Sequence, residues 1–355
     1  MIRRGVYRRY PQSLVLAFSS LTVCCQSFGL SPSSTSSSAL SVRMSASSSS
    51  SCPAESRRVF GKDDALFGCI EAQQRVHGRP FGKVLDAGTG LHSLRWLSTL
   101  QEETNKALPM THLTAVTADE TMQRNVQREM EALGIQDDTG EVVMGNWFPA
   151  TTEKTPSTTD ATTSTTTDNG QKLYKDSLVL PHEHYDTILA DYLIGAMDGF
   201  SPYQQDLILP KLTNYLAPHG LLYIVGLEPI PDKVTGDADI VCRVRQVRDA
   251  CILLAGHRCY REYPVNWIQR QVQQTAGLKL VDVSRFPILY RHETILKQIN
   301  VARSKFPFIK NQQLVQGLTI ELDALERRSR EATQRSPNNR LQLGFDYVVT
   351  AEKIA

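Results

Sequence analysis

The residues whose types and spacing could do chemistry concentrate in Lys83 to Ser93, KVLDAGTGLHS, where an apolar run meets a carboxylate and then two glycines. Val84 and Leu85 suit a buried strand, and Gly88 and Gly90 permit a tight turn and close backbone approach. Helical apolar spacing then begins with Leu94, Leu97 and Leu100, and predicts a helix from Ser93 to about Glu103. A strand, loop and helix in this order aim the backbone N–H groups of Ala87 to Gly90 at whatever rests on the loop, which favours an anionic group there. Asp86 brings the opposite demand. At the end of the strand it accepts hydrogen bonds from a cationic amine and repels a pyrophosphate.

Further polar residues follow apolar runs of strand character. Asp119 and Glu120 follow LTAV, with Thr117 just before them; Asn146 and Trp147 follow EVVMG; Asp191 and Tyr192 follow Tyr185 to Ala190. Asn146 can both give and accept hydrogen bonds, and Trp147 offers either a flat stacking face or a core aromatic. Asp191 can act as a base, bind a substrate or cap the next helix, and Tyr192 can wall a pocket. Asp198, Tyr203 and Asp206 are weaker candidates for substrate contact. His182 and His184 form HEH before the fourth strand, but no third well-placed ligand is evident, so no metal is expected.

Gly88, Gly90 and Ser93 make GxGxxS, which falls short of the dinucleotide fingerprint. With Asp86 they make D-x-G-x-G, which resembles the first motif of the class I S-adenosylmethionine-dependent methyltransferases. The resemblance implies a doubly wound, mostly parallel seven-stranded α/β sheet. It further implies S-adenosylmethionine as cofactor, held at its methionyl end by Asp86 and the loop of Ala87, Gly88, Thr89 and Gly90. The ribose falls to Asp119, with Thr117 in the usual acidic position, the adenine to Asn146 and Trp147, and the substrate side to Asp191 and Tyr192. A small-molecule acceptor is expected, and a protein acceptor stays open. A dinucleotide-dependent oxidoreductase and a non-catalytic binding protein of the same fold are the alternatives.

The elements that position these residues recur in order. A helix is expected between Arg57 and Gly78, another over Met122 to Leu133, and a further one over Gln204 to Leu216 before LLYIVGLEP. Helices follow at Asp239 to Ala255 and Tyr263 to Ala276, then KLVDVSRFPIL and FDYVVTAEK as the sixth and seventh strands, the last inserted antiparallel. Between these two strands, 293–335 carries Leu314, Leu318, Leu322 and Leu325 at helical spacing, which predicts a packed helical insertion or a lid. Arg243, Arg245 and Arg248 mark a solvated helix face or a clamp for an acidic substrate. The Thr/Ser-rich stretch at 150–172 reads as a flexible insertion.

The chain has 355 residues and a formal charge of +2, but the first 54 contain five arginines and no acid. Without them the charge is −3, which argues against nucleic acid as a partner. Four early arginines, an apolar run from Leu14 to Cys25 and a serine-rich tract read as a two-part leader over 1–54, predicting a plastid, with mitochondrion and secretory route as alternatives. The apolar run is too short and too serine-rich for a membrane span. Cys69, Cys242, Cys251 and Cys259 form no CxxC pair and are expected to act as small hydrophobes.

Overall fold

The computed structural model describes residues 64–101, 107–148, 165–166, 172–173 and 178–355. The expected leader lies outside these residues. So does the stretch at 150–172, except where Thr165–Thr166 pairs antiparallel with Lys172–Leu173.

Seven strands form the main sheet: β1 (Gly82–Asp86), β2 (Met110–Thr117), β3 (Gly140–Met144), β4 (Tyr185–Asp191), β5 (Leu216–Leu227), β6 (Leu278–Tyr290) and β7 (Leu341–Lys353). Their order is β3-β2-β1-β4-β5-β7-β6. Strands β1 to β5 run parallel, and β7 enters antiparallel to both β5 and β6. Successive residues of β1 face opposite sides, so Val84 and Leu85 enter two different cores. Both are fully buried, as strands covered by helices on both faces must be.

On the Val84 side lie α1 (Ala65–His77), α2 (Leu91–Ser98) and α3 (Glu120–Ala132). On the Leu85 side lie α4 (Leu193–Phe200), α5 (Ile208–Tyr215) and α7 (Val265–Gln274). Local signals set several ends: Asp64 caps α1 through the N–H groups of Leu66 and Phe67, and Gly78 closes it in the left-handed conformation. Helix α2 is shorter than its apolar spacing predicts, because Gln101 is already paired with Met110 beside the sheet.

A third core joins α6 (Asp239–Leu254), α8 (His292–Arg303) and α9 (Gln312–Arg335) to Leu227, Ile288, Tyr290, Leu341 and Leu343. Those residues sit at the ends of β5 and β6 and the start of β7, so the three helices cover that end of the sheet. In the leucine stripe of α9, Leu322 and Leu325 are fully buried while Leu314 is exposed. The α6 arginines are engaged locally: Arg243 with Glu321, Arg245 with Asp232, and Arg248 with Asp249 and Gln298. They form no substrate clamp. Cys69, Cys242 and Cys251 are buried, and none of them is in a disulfide among the described residues. No helix of the described residues is long and apolar enough to cross a membrane.

Candidate functional site

The C-terminal ends of the parallel strands open into a cavity of about 220 Å³, and residues 87–90 form part of its wall. Two N–H groups of the loop are already spent on the sheet: Ala87 donates to the Leu189 carbonyl and Thr89 to the Val116 carbonyl, each at 2.8 Å. The Gly90 N–H meets Ser93 Oγ at 3.3 Å. The expected row of free amides is therefore mostly absent; the loop is strapped to β4 and β2 instead. Its glycines are there for space. A Cβ at Gly88 would lie 2.9 Å from Leu193 Cδ1 on α4, whereas one at Gly90 would meet no protein atom within 4 Å.

Asp86 lies beneath the loop rather than on the wall. It is fully buried, and its Oδ2 accepts a 2.8 Å hydrogen bond from Ser93. Its Oδ1 has no hydrogen-bond partner among the described residues. Burial pushes its pKa up to about 6, against the pull of Ser93, Thr89 and the Gly88 N–H.

Beside it on the wall is Asp191, the last residue of β4, whose pKa is raised well above the usual carboxylate range. Desolvation is the main cause, followed by the charges of Asp86, Asp64 and Asp346. Asp191 caps nothing; the N-cap of α4 is Tyr192, held left-handed at φ 49° with its N–H bonded to the Val225 carbonyl. A non-glycine residue in that conformation carries strain, a feature often found where a site must be held in shape. The Tyr192 hydroxyl donates to Asp346 Oδ1 at 2.9 Å.

Asp346, on β7, is a site residue that sequence reasoning missed. It lines the cavity, and burial pushes its pKa up to about 7, against the Tyr192 hydrogen bond and with the Asp64 charge. The available signal was an acid inside the apolar run FDYVV. Asp64 itself is 2.7 Å from His92 Nε2. Four carboxylates thus cluster around one end of the cavity. The segment at 260–263, also unassigned from sequence, adds Tyr260, Arg261, Glu262 and Tyr263 to the wall, facing Tyr290 and Tyr347.

Thr117 and Asp119 both line the cavity. The Thr117 hydroxyl is buried without a partner, while Asp119 Oδ1 caps α3 by accepting from Thr121 and Met122 at 2.9 Å. Glu120 enters the first turn of α3 and is not on the wall. Asn146 is on the wall, but its amide donates to the Phe200 carbonyl at 2.9 Å and accepts from Ser201 Oγ at 2.7 Å. These two bonds fix the side chain and leave one N–H and one lone pair of the amide for a ligand. Trp147 is a buried core aromatic whose indole N–H donates to the Ala87 carbonyl at 2.7 Å, pinning the end of β3 to the glycine loop. Asp198, expected near substrate, is buried 3.8 Å from both Arg258 and Arg261.

The reversed seventh strand between β5 and β6, with the glycine loop at the point where strand order changes direction, decides the architecture. The chain has a class I methyltransferase-like fold. No protein-family model matches the sequence, and no curated protein matches it. Among solved structures, a loganic acid methyltransferase with SAH aligns at 9% identity and TM-score 0.48, over 78% of this chain and 85% of that one. The YcgJ protein of a Bacillus species aligns at 12% and 0.43, over 80% and 97%. A SAM-dependent methyltransferase from Geobacter sulfurreducens, in complex with S-adenosyl-L-homocysteine, aligns at 11% and 0.39, over 80% and 89%. Within the class I fold the site residues gather from the ends of β1, β2, β3 and β4, as expected, and from β7, which was not expected to contribute. The HEH histidines separate: His184 is exposed, whereas His182 lies with His112 and Glu141 at the opposite end of the sheet.

Proposed function

We propose that this protein binds S-adenosylmethionine and transfers its methyl group to a small-molecule acceptor. The observation that carries the reading is the cluster of Asp64, Asp86, Asp191 and Asp346 at one end of the cavity, where desolvation raises Asp86, Asp191 and Asp346. Among the described residues lining the cavity, Arg261 is the one permanently cationic side chain, and it already faces buried Asp198. Such a site favours a cationic guest and penalises a diphosphate. The residues fit the cofactor: Asp86 offers an unused buried acceptor beneath a loop whose Gly90 leaves open space.

When bound, the cofactor supplies an electrophilic methyl group on a positively charged sulfur. Asp86 would hold the cationic amine of the cofactor's methionyl end, and Asp346, oriented by the Tyr192 hydroxyl, would add negative charge beside it. Asp191 would bind the acceptor or take its proton as the new bond to the methyl carbon forms and the carbon–sulfur bond breaks; burial makes its ionised carboxylate a stronger base than an exposed one. Tyr192, Tyr260, Tyr263 and Tyr290, under the α6, α8 and α9 cap, exclude water and hold the acceptor in line. The enclosed aromatic wall favours a small acceptor over a protein chain.

Calorimetric titration of S-adenosylmethionine and of NADPH into the full chain tests the reading. Binding of the sulfonium compound, absent in Asp86→Asn, is expected. Binding of NADPH in its place would overturn the proposal in favour of the oxidoreductase.

A further inference from the structure

At the other end of the sheet, three metal-ligating side chains meet that have no part in the cavity. His112 is the third residue of β2 and Glu141 the second of β3; Glu141 is paired with Thr114, on the same face of β2 as His112. His182 lies three residues before β4 begins. Five residues of strand separate His112 from Thr117 in the cavity wall, about 17 Å at the usual rise.

We propose that His112, Glu141 and His182 form a binding site for a divalent metal ion of the zinc class. His112 Nε2 and Glu141 Oε1 are 3.1 Å apart at hydrogen-bond distance, and a small outward shift gives the separation of about 3.4 Å that two ligands about 2.1 Å from one tetrahedral ion require. One ligand atom from each of the three residues falls within 4.8 Å of the others, so side-chain rotation alone completes the set. The His182 ring stands edge-on to His112 with centroids 4.7 Å apart, and its Nε2 is buried without a hydrogen-bond partner among the described residues. An imidazole nitrogen left in that state costs stability unless something satisfies it.

The donor set supports the assignment. Two imidazoles and one carboxylate suit zinc and its neighbours among the transition metals and suit magnesium or calcium poorly. The carboxylate is held from behind: the Thr114 hydroxyl donates to Glu141 Oε1 at 3.3 Å and accepts from the Tyr185 hydroxyl at 3.1 Å. Lys83 adds positive charge near His182, and Glu141 opposes it. An ion here would tie β2 and β3 to the chain as it returns at His182 to enter β4. Three protein ligands leave one coordination position open to water, and the site stands independently of the methyltransferase reading.

Zinc titration into chelator-treated full-length protein tests the site, with His182→Ala and Glu141→Gln as variants and exposed His184→Ala as control. One ion per chain is expected, with affinity reduced roughly 100-fold in the two variants and unchanged in the control. Modification by diethyl pyrocarbonate, mapped by mass spectrometry on the unaltered protein, gives a readout that needs no variant to fold. Zinc should protect His112 and His182 and leave His184 reactive. Substoichiometric binding, unchanged affinity in His182→Ala, or equal protection of all three histidines would overturn the site.

Discussion

Asp86 is a carboxylate sealed from solvent with one oxygen unbonded, an arrangement that costs stability and persists only if something else selects for it. The raised pKa of Asp86 gives the sign. Between the ordinary carboxylate value near 4 and about 6, the folded chain holds a proton that the unfolded chain has released. The ligand-free protein therefore loses stability as pH rises through that window, and Asp346 extends the loss to about 7. Asp86→Asn should stabilise the ligand-free protein at pH 8 by up to about 3 kcal/mol, with little effect at pH 4, while abolishing cofactor binding. Paired urea melts and titrations at the two pH values check this. A cationic ligand needs the ionised carboxylates, so wild-type affinity should rise by about tenfold or more from pH 5 to pH 8. Asp191→Asn should retain cofactor binding and lose turnover by roughly 100-fold or more, read as kcat at saturating cofactor once an acceptor is in hand.

At the scale of elements, the cavity depends on contacts between strands distant in sequence. Gly226 on β5 stands opposite Tyr347 on β7, and a Cβ there would lie 2.7 Å from the Tyr347 Cε2 atom. That space lets the Tyr347 hydroxyl reach the Tyr263 carbonyl at 2.8 Å and fix the segment carrying Tyr260 to Tyr263. Gly226→Ala should destabilise the fold by roughly 1–3 kcal/mol through overpacking, measured by denaturant midpoint. Tyr347→Phe should leave stability closer to wild type yet raise KM for the acceptor, because it frees the wall segment without crowding the sheet. The strands and most helices were legible because apolar periodicity survives in them; the end of α2 was not, since the pairing of Gln101 with Met110 is a contact outside its own periodicity.

For the whole molecule, the α6, α8 and α9 cap is an integral layer over the end of the sheet. Leu322 is fully buried in that core, and Leu322→Ala should cost about 2–5 kcal/mol. Thermal melts and hydrogen exchange across α8 and α9 check the cost and where it falls. A cap that opened freely as a lid would show weak protection there and little stability loss. By itself the sequence determined the order of strands and helices, the glycine loop with its acid, and the two carboxylate-bearing strand ends at Asp86 and Asp191. Those features are written in local period and in neighbouring residues. Only the tertiary structure decided that Asp346 joins the site, that Asn146 and Trp147 in the cavity wall also make internal hydrogen bonds, and that His182 meets His112 and Glu141. Each of these rests on which strands lie side by side, and strand neighbours are set by packing between segments that local sequence does not encode.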